Sequence, residues 1–133
     1  MTPDILIKQA HNFEWQYIDG EDGREDVIRW KTFAGADNDS TNGISFGVCE
    51  LPSGAKLQAH QHAPPELYYV TEGSGEVLLE NEVQSVSPGS IVYLPPYLEH
   101  GIRNTGQETL TLFWMFPVDR WSNVEYHMLE RPF

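Results

Sequence analysis

The chain has 133 residues, a hydrophobic share of 40% and a formal net charge of −12 at pH 7. This length suits one domain with a core of its own, and the acidity disfavours nucleic acid and anionic membranes, whose phosphates attract basic surfaces. No apolar run reaches the roughly 18–20 residues that span a bilayer, so we expect no membrane partner.

The N-terminal residues and the cysteine content predict a cytoplasmic protein. Residues 1–15 lack the charged segment, long apolar segment and cleavage site of a secretory signal. A single cysteine, Cys49, offers no intramolecular disulfide and suits a reducing compartment. We interpret Cys49 as a small apolar side chain of a strand rather than as a reactive thiol.

Short strand-like segments follow one another along the chain. Residues 1–13 favour either a strand or a short helix outside the main fold. A solvated acidic surface is expected next, formed by Glu14, Asp19, Glu21, Asp22, Glu25 and Asp26. The predicted strands are 27–33, 43–51, 55–62, 66–73, 75–80, 90–95, 100–104 and 109–116. Many short strands between Gly, Pro and Asn turns predict an all-β sandwich or barrel in one domain, residues 1–133.

Two runs of the sequence carry side chains that suit a metal. The first, residues 54–73, has the spacing G-x5-H-x-H-x3-E-x6-G, and the second, residues 89–104, follows after fifteen residues. The candidate ligands are His60, His62, Glu66 and His100. Imidazole nitrogens and a carboxylate suit first-row divalent metals, whereas a structural zinc site would usually need more cysteines. We predict one divalent transition metal (Fe, Mn, Ni, Co or Zn) with open positions, and leave out His11 and His127.

Strand alternation sorts these side chains by face. The side chains expected to share one interior are His60, His62, Glu66, Tyr68, His100 and Asn104. By the same alternation Arg103 points outward, and the position of Arg29 stays open. The sequence therefore predicts no clear guanidinium clamp for a substrate carboxylate, which favours a carboxylate held by the metal.

The two runs resemble motifs 1 and 2 of the cupin superfamily. The first run matches completely, and the gap between the runs is typical of single-domain microbial cupins. The second run has Tyr97 where the family pattern carries Gly, a departure that concerns the turn before the ligand strand. The resemblance implies an all-β fold, a single cupin (jelly-roll-like) antiparallel β-barrel with a short N-terminal extension. Its metal-binding barrel core is expected at about 44–117.

A closer resemblance runs along most of the chain. Its segments are EWQY, VIRWKTF, NGISFGVCELPSG, HQHAPPELYYVTEGSG, GSIVYLPPYLEH, NTGQETL and FWMFPVDRWSNVEY. They are similar to the small single-cupin dimethylsulfoniopropionate lyases, which cleave a sulfonium zwitterion into dimethyl sulfide and acrylate. The resemblance implies catalytic roles for Tyr68 and Tyr126. Trp114 and Trp30 are candidates to hold the sulfonium by cation–π contact.

The chemistry of β-elimination suits this set of groups. A metal that binds the substrate carboxylate acts as a Lewis acid, and a base must lie within hydrogen-bond reach of the acidic carbon. Tyr68, two residues after Glu66 on the same strand face, is the predicted base. Its phenol has an ordinary pKa near 10, so the metal or a cationic substrate must lower that pKa for Tyr68 to act near neutral pH.

Other functions stay open from the sequence alone. One is an Fe(II) dioxygenase of a small acid or thiol, and another is a non-catalytic cupin that binds a small metabolite through its metal. A nucleotide-sugar isomerase is disfavoured by the acidity of the chain. The expected partner is a small zwitterionic or carboxylate substrate, and a homodimer is expected because small cupins commonly form one.

Overall fold

The computed structural model describes residues 7–18, 27–36, 43–131 and 133. Within these residues the strands are β1 Gln16–Tyr17, β2 Arg29–Ala34, β3 Ser45–Leu51, β4 Lys56–Gln61, β5 Glu66–Glu72, β6 Gly75–Leu79, β7 Glu82–Val86, β8 Ile91–Leu94, β9 His100–Arg103, β10 Leu110–Phe116 and β11 His127–Met128. Two 3₁₀ turns lie at Ala10–Asn12 and Trp121–Asn123. None of the helices in these described ranges has the length and apolarity to cross a bilayer.

The strands form two antiparallel sheets that face each other. One has the order β1-β2-β3-β10-β5-β8 and the other the order β11-β4-β9-β6-β7. Every pairing within them is antiparallel. Because the chain from β3 to β10 passes repeatedly between the two sheets, their inner faces enclose one interior. The predicted all-β, jelly-roll-like fold is confirmed.

Strand β10, which lies between β3 and β5 in the six-stranded sheet, has side chains that alternate between buried and partly exposed. Leu110, Leu112, Trp114 and Phe116 are buried, and the residues between them are partly exposed. The buried set packs into one core cluster with inward residues of β5, β6, β8 and β9. Burial of each such apolar side chain stabilises the fold by about 1.5–3 kcal/mol relative to exposure. The buried residues of β10 therefore help to hold the two sheets together.

The eight predicted strands correspond to β2 through β6 and to β8, β9 and β10. Strand β7 was not predicted, because four of its five residues are exposed and give no alternating signal. Residues 1–13 were predicted to form either a strand or a short helix. Their described part, residues 7–13, contains a 3₁₀ turn and no strand. Glu14 of the predicted acidic surface is exposed, and the rest of that surface lies outside the described residues.

The departure at Tyr97 leaves the turn before β9 in a glycine-like conformation. Tyr97 has φ 62, in the left-handed region that glycine adopts freely and that costs other residues about 1–2 kcal/mol. Its backbone N–H donates to the His62 carbonyl at 2.8 Å. The turn therefore joins the two predicted ligand segments directly.

Asn104 is a structural residue of this fold, and its loss should cost stability. Its buried Nδ2 donates to the Leu51 carbonyl at 2.9 Å and to the Glu108 carbonyl at 2.7 Å, and its Oδ1 accepts from the Gly106 N–H. Asn104→Ala leaves these groups unpaired, so we expect the free energy of unfolding to fall by about 2–3 kcal/mol. Urea denaturation measures this, with exposed Asn123→Ala as the control; equal effects would contradict the assignment.

Candidate metal centre

A β-bulge on β4 aims the first histidine inward. Leu57 pairs with Ile102 and His60 pairs with His100, so two residues of β4 lie opposite one residue of β9. The extra residue reverses the alternation, which lets Leu57 and His60 both face the interior although they are three residues apart. His62 follows on the same face, and both histidines are 1% exposed.

The backbone fixes the orientation of three imidazoles. Each ring has its Nδ1 bonded to a carbonyl two residues away in the chain. The pairs are His60 with Gln58 O at 2.7 Å, His62 with Pro64 O at 2.8 Å and His100 with Leu98 O at 2.8 Å. Because a carbonyl only accepts, each Nδ1 carries a hydrogen and each Nε2 is left to act as a ligand. The ligand nitrogens of the three rings lie within 4.8 Å of one another.

The polar atoms of this cluster fit a divalent metal. The Nε2 atoms of His60 and His100 are buried and have no hydrogen-bond partner, an arrangement that costs about 1–3 kcal/mol per group when nothing binds them. Glu66 Oε1 lies 3.1 Å from His62 Nε2 and 3.4 Å from His100 Nε2. The three imidazoles form one cluster and the Glu66 carboxylate lies beside two of them. First-row metals favour such donors, so these residues could hold a metal ion.

Charge within the cluster favours the ligand forms of His60 and Glu66. Burial, assisted by His100, lowers the pKa of His60 to about 4, so this ring is neutral at physiological pH. Burial opposes charge on Glu66, but the neighbouring imidazoles of His100 and His62 outweigh it and hold the carboxyl pKa below its ordinary value. Burial also opposes charge on His62, yet its hydrogen bond with Glu66 prevails and raises the pKa of the imidazole, so a metal would displace a proton from His62 Nε2.

Both predicted tyrosines lie beside the imidazoles. Tyr68 is buried on the same inner face of β5 as Glu66, with its ring 6.5 Å from that of His100. Burial and the Glu66 carboxylate raise the pKa of the Tyr68 phenol well above its ordinary value. Tyr126 comes from the C-terminal segment; its ring stacks 5.2 Å from His60, and 37% of the residue is exposed. One tyrosine thus lies inside the barrel and the other at its mouth.

Comparison with known proteins decides the family. Residues 47–116 match the model of the Cupin domain, Cupin_2, which is more than half of the chain. The chain belongs to the cupin family. Dimethylsulfoniopropionate lyase DddW of Ruegeria pomeroyi is 30% identical over 107 residues, which cover 80% of this cupin and 70% of that lyase.

Other relatives show how widely the fold is used. The glucose-6-phosphate isomerase of Thermococcus kodakarensis is 27% identical over 132 residues, covering 86% of this cupin and 70% of the isomerase. The crystal structure of DMSP lyase DddQ from Ruegeria pomeroyi DSS-3 superposes with a TM-score of 0.70 at 19% identity, covering 86% and 61% of the two chains. The similarity to DddQ shows only that the two chains share a fold.

Trp121 contacts Tyr126, and its position was not predicted from the sequence. It lies in the second 3₁₀ turn of this cupin, and its Nε1 donates to the Tyr126 hydroxyl at 3.2 Å. Its ring is 5.9 Å from Trp30 and 6.1 Å from Trp114. The two predicted tryptophans therefore contact Trp121 rather than the imidazoles. Trp121 in turn contacts Tyr126, whose ring stacks on His60. No spacing rule links position 121 to the ligands, since the turn reaches the mouth only through tertiary packing.

Three of the described arginines pair with carboxylates of the chain. Arg103 pairs with Glu76 at 2.9 Å, as its predicted outward orientation requires, and Arg29 pairs with Glu50 at 2.7 Å. Arg131 pairs with Glu99 at 2.7 Å. Within the described ranges, none of these paired guanidinium groups is free to clamp a carboxylate or phosphate beside the histidines.

Cys49 should react slowly in the folded protein. This side chain packs against the core, and burial, with Glu66 and Glu50 adding, raises the pKa of its thiol to about 12. The thiolate fraction near pH 8 is then about 10⁻⁴, against roughly 0.2 for an ordinary thiol. We expect alkylation about 10³-fold slower than in denaturant, rising tenfold per pH unit up to about pH 10. A plateau near pH 9 in the folded protein would contradict this.

Proposed function

We propose that this cupin is a metal-dependent carbon–sulfur lyase that cleaves dimethylsulfoniopropionate into dimethyl sulfide and acrylate by β-elimination. The observation that carries the proposal is the position of Tyr68, which shares the inner face of β5 with Glu66 and lies beside His100. The similarity to DddW, a dimethylsulfoniopropionate lyase, supports it.

His60, His62, Glu66 and His100 would hold the metal, and Lewis acidity toward the substrate carboxylate is the chemistry that it supplies. The neutral imidazole of His60 and the ionised carboxylate of Glu66 are the forms that ligation needs. Because Arg29, Arg103 and Arg131 are paired with carboxylates of the chain, the metal is the natural partner of that carboxylate.

Tyr68 would act as the general base of the elimination. As the phenolate, after its own proton has left to solvent, its oxygen takes the proton from the carbon next to the carboxylate, the electrons of that C–H bond form the new double bond, and the C–S bond breaks to release neutral dimethyl sulfide. Burial and Glu66 keep Tyr68 protonated when no cation is near. A bound sulfonium adds a positive charge to the site, which lowers the pKa of the phenol.

The aromatic side chains at the barrel mouth would hold the sulfonium head. Tyr126 and Trp121 are joined by a hydrogen bond and are both partly exposed. Trp30 and Trp114 lie behind the Trp121 ring and support it. A sulfonium on such rings gains about 0.5–2 kcal/mol per favourable contact. A phosphorylated sugar would instead meet an acidic chain and the Glu66 carboxylate, so we do not extend the isomerase activity to this cupin.

Reconstitution with single metals tests the proposal. Chelator-treated protein is loaded with Fe(II), Mn(II), Ni(II), Co(II) or Zn(II), and dimethyl sulfide is followed by headspace gas chromatography. We expect release with at least one metal and none from chelated protein. The same preparations should not isomerise glucose 6-phosphate or consume oxygen with small acids or thiols. Absence of dimethyl sulfide with all five metals would contradict the proposal, and substrate binding without product would favour a non-catalytic cupin.

A further inference from the structure

The C-terminal residues cross the mouth of the barrel from one sheet to the other. They leave β10 of the six-stranded sheet, pass through the 3₁₀ turn Trp121–Asn123 and pair with β4 as β11, at the edge of the five-stranded sheet. We call residues 121–131 the C-terminal strap. Within it, the Tyr126 ring lies 5.2 Å from the His60 ring and 5.3 Å from the His62 ring. The strap therefore covers the imidazoles.

The groups beneath the strap are closed off from solvent. The three imidazoles are each 1% exposed, Glu66 is 6% exposed and Tyr68 3%. The Nε2 atoms of His60 and His100, which are free to bind a metal, are buried and have no hydrogen-bond partner within the described residues. An ion or a small molecule can reach these atoms only when a covering element of the protein moves.

The two ends of the strap are held by different kinds of contact. At its start, the side chains of Trp121 and Val124 pack against the hydrophobic core. At its end, Arg131 Nη1 donates to Glu99 Oε2 at 2.7 Å, and Arg131 Nη2 donates to the Glu80 carbonyl at 2.7 Å. Apolar packing thus holds the first end, whereas the polar contacts of one arginine hold the second.

The middle of the strap is held mainly by its backbone. No residue from 125 to 130 is buried, and both residues of β11 are exposed. Besides the pairing of β11 with β4, the Leu129 N–H donates to the Ala59 carbonyl at 3.0 Å, and Gln58 Nε2 donates to the Leu129 carbonyl at 2.8 Å. Segments with few buried apolar contacts open locally at a smaller free-energy cost than the core does.

We propose that the C-terminal strap is a gate of the metal centre, which opens where β11 leaves β4 and is held closed by Arg131. The 3₁₀ turn, anchored by its packing on the core, stays in place as the hinge. Opening moves the Tyr126 ring away from His60 and admits a metal ion or a small molecule to the Nε2 atoms. Closure returns the ring and shields the interior from water. This movement controls access to the site whichever reaction the site performs.

The rate of zinc release tests the role of Arg131. Protein loaded with Zn(II) is mixed with an excess of 4-(2-pyridylazo)resorcinol, and the absorbance of the zinc–dye complex gives the rate. Arg131→Ala removes both polar contacts at the end of the strap, and we expect zinc to leave about 3–10-fold faster because partly exposed contacts of this kind are each worth a factor of a few.

Arg29→Ala is the matched control for this measurement. Arg29 forms an ion pair of the same kind with Glu50 at 2.7 Å on β2 and β3, in the sheet that does not contain β11. Its loss should leave the rate of zinc release at the wild-type value. Arg103 is less suitable as a control, because its guanidinium lies 4.8 Å from the Phe133 ring next to the strap.

A reversible cross-link tests the opening itself. His127 of β11 lies opposite Gln61 of β4, and residues directly opposite in an antiparallel pair have Cα atoms about 4.5–5.5 Å apart, a separation that a disulfide spans. The double variant with Gln61→Cys and His127→Cys can therefore be closed by oxidation. We expect the oxidised form to release zinc at least about 10-fold more slowly than the same protein after reduction and alkylation with iodoacetamide. The alkylated form should release zinc at least as fast as wild type.

Two outcomes would overturn the proposal. Equal rates for the oxidised form and the alkylated form would mean that ions reach the histidines by a route that does not involve the strap. Equal rates for Arg131→Ala and Arg29→Ala would mean that Arg131 does not hold the strap closed. Because zinc release needs no substrate, both results are independent of whether dimethylsulfoniopropionate is cleaved.

Discussion

Tyr68→Phe is expected to lower the turnover of dimethylsulfoniopropionate by about 10³-fold while leaving one metal per chain. The substitution removes only the hydroxyl, so the buried ring still packs beside His100. General-base catalysis typically contributes 10²–10⁴-fold, and the loss of the proton acceptor should appear in kcat. Initial rates of acrylate formation, with metal content measured on the same samples, check this prediction.

Tyr69→Phe is the matched control, because Tyr69 is adjacent in sequence but lies on the outer surface of β5. Its removal of one hydroxyl should leave both turnover and metal content at wild-type values. If Tyr68→Phe lost its metal, Tyr68 would be a residue that supports ligation rather than a base. If it retained full turnover, the assignment of the base would be wrong.

His100→Ala is expected to weaken metal binding by about 10²–10³-fold and to abolish detectable turnover at limiting metal. Apparent binding energies of structural zinc in zinc-finger peptides are about 10–16 kcal/mol. An affinity of that size shared among four ligands gives about 2.5–4 kcal/mol for one of them, which corresponds to roughly 10²–10³-fold. The substitution also removes one of the two imidazoles that face the Glu66 carboxylate. Competition with a chromophoric chelator measures the change.

His127→Ala provides the control for the ligand experiment. His127 is exposed on the two-residue strand β11 and pairs with Gln61, so metal affinity should remain that of the wild type. Unchanged affinity in His100→Ala, or an equal loss in His127→Ala, would contradict the assignment of the ligands.

Much of the fold could be predicted because burial alternates along its central strands. The pattern on β10 places Leu112 and Trp114 in the core and leaves Phe113 outside, and the sequence alone contains that pattern. Strand β7 gives no such signal, since its position depends on pairing with β6 rather than on a buried face. The short strands β1 and β11 likewise exist only through their partners.

The candidate site was predictable in its residue types more than in its geometry. Alternation correctly groups Glu66 with Tyr68, because no bulge separates them on β5. The inward position of His60 relative to Leu57 depends on the bulge in β4, and the free Nε2 atoms depend on carbonyls that bind each Nδ1. Trp121 reaches the mouth through long-range contacts, such as its N–H bond to the Gly35 carbonyl, which no local pattern contains.

Proton NMR of the products tests the claim of β-elimination most directly. Metal-loaded protein is incubated with dimethylsulfoniopropionate, and acrylate, dimethyl sulfide and 3-hydroxypropionate are quantified in the same sealed sample. Elimination with Tyr68 as base predicts acrylate and dimethyl sulfide in equal amounts, with no 3-hydroxypropionate and no reaction after chelation. Release of 3-hydroxypropionate in place of acrylate, or unchanged substrate with every metal, would contradict it.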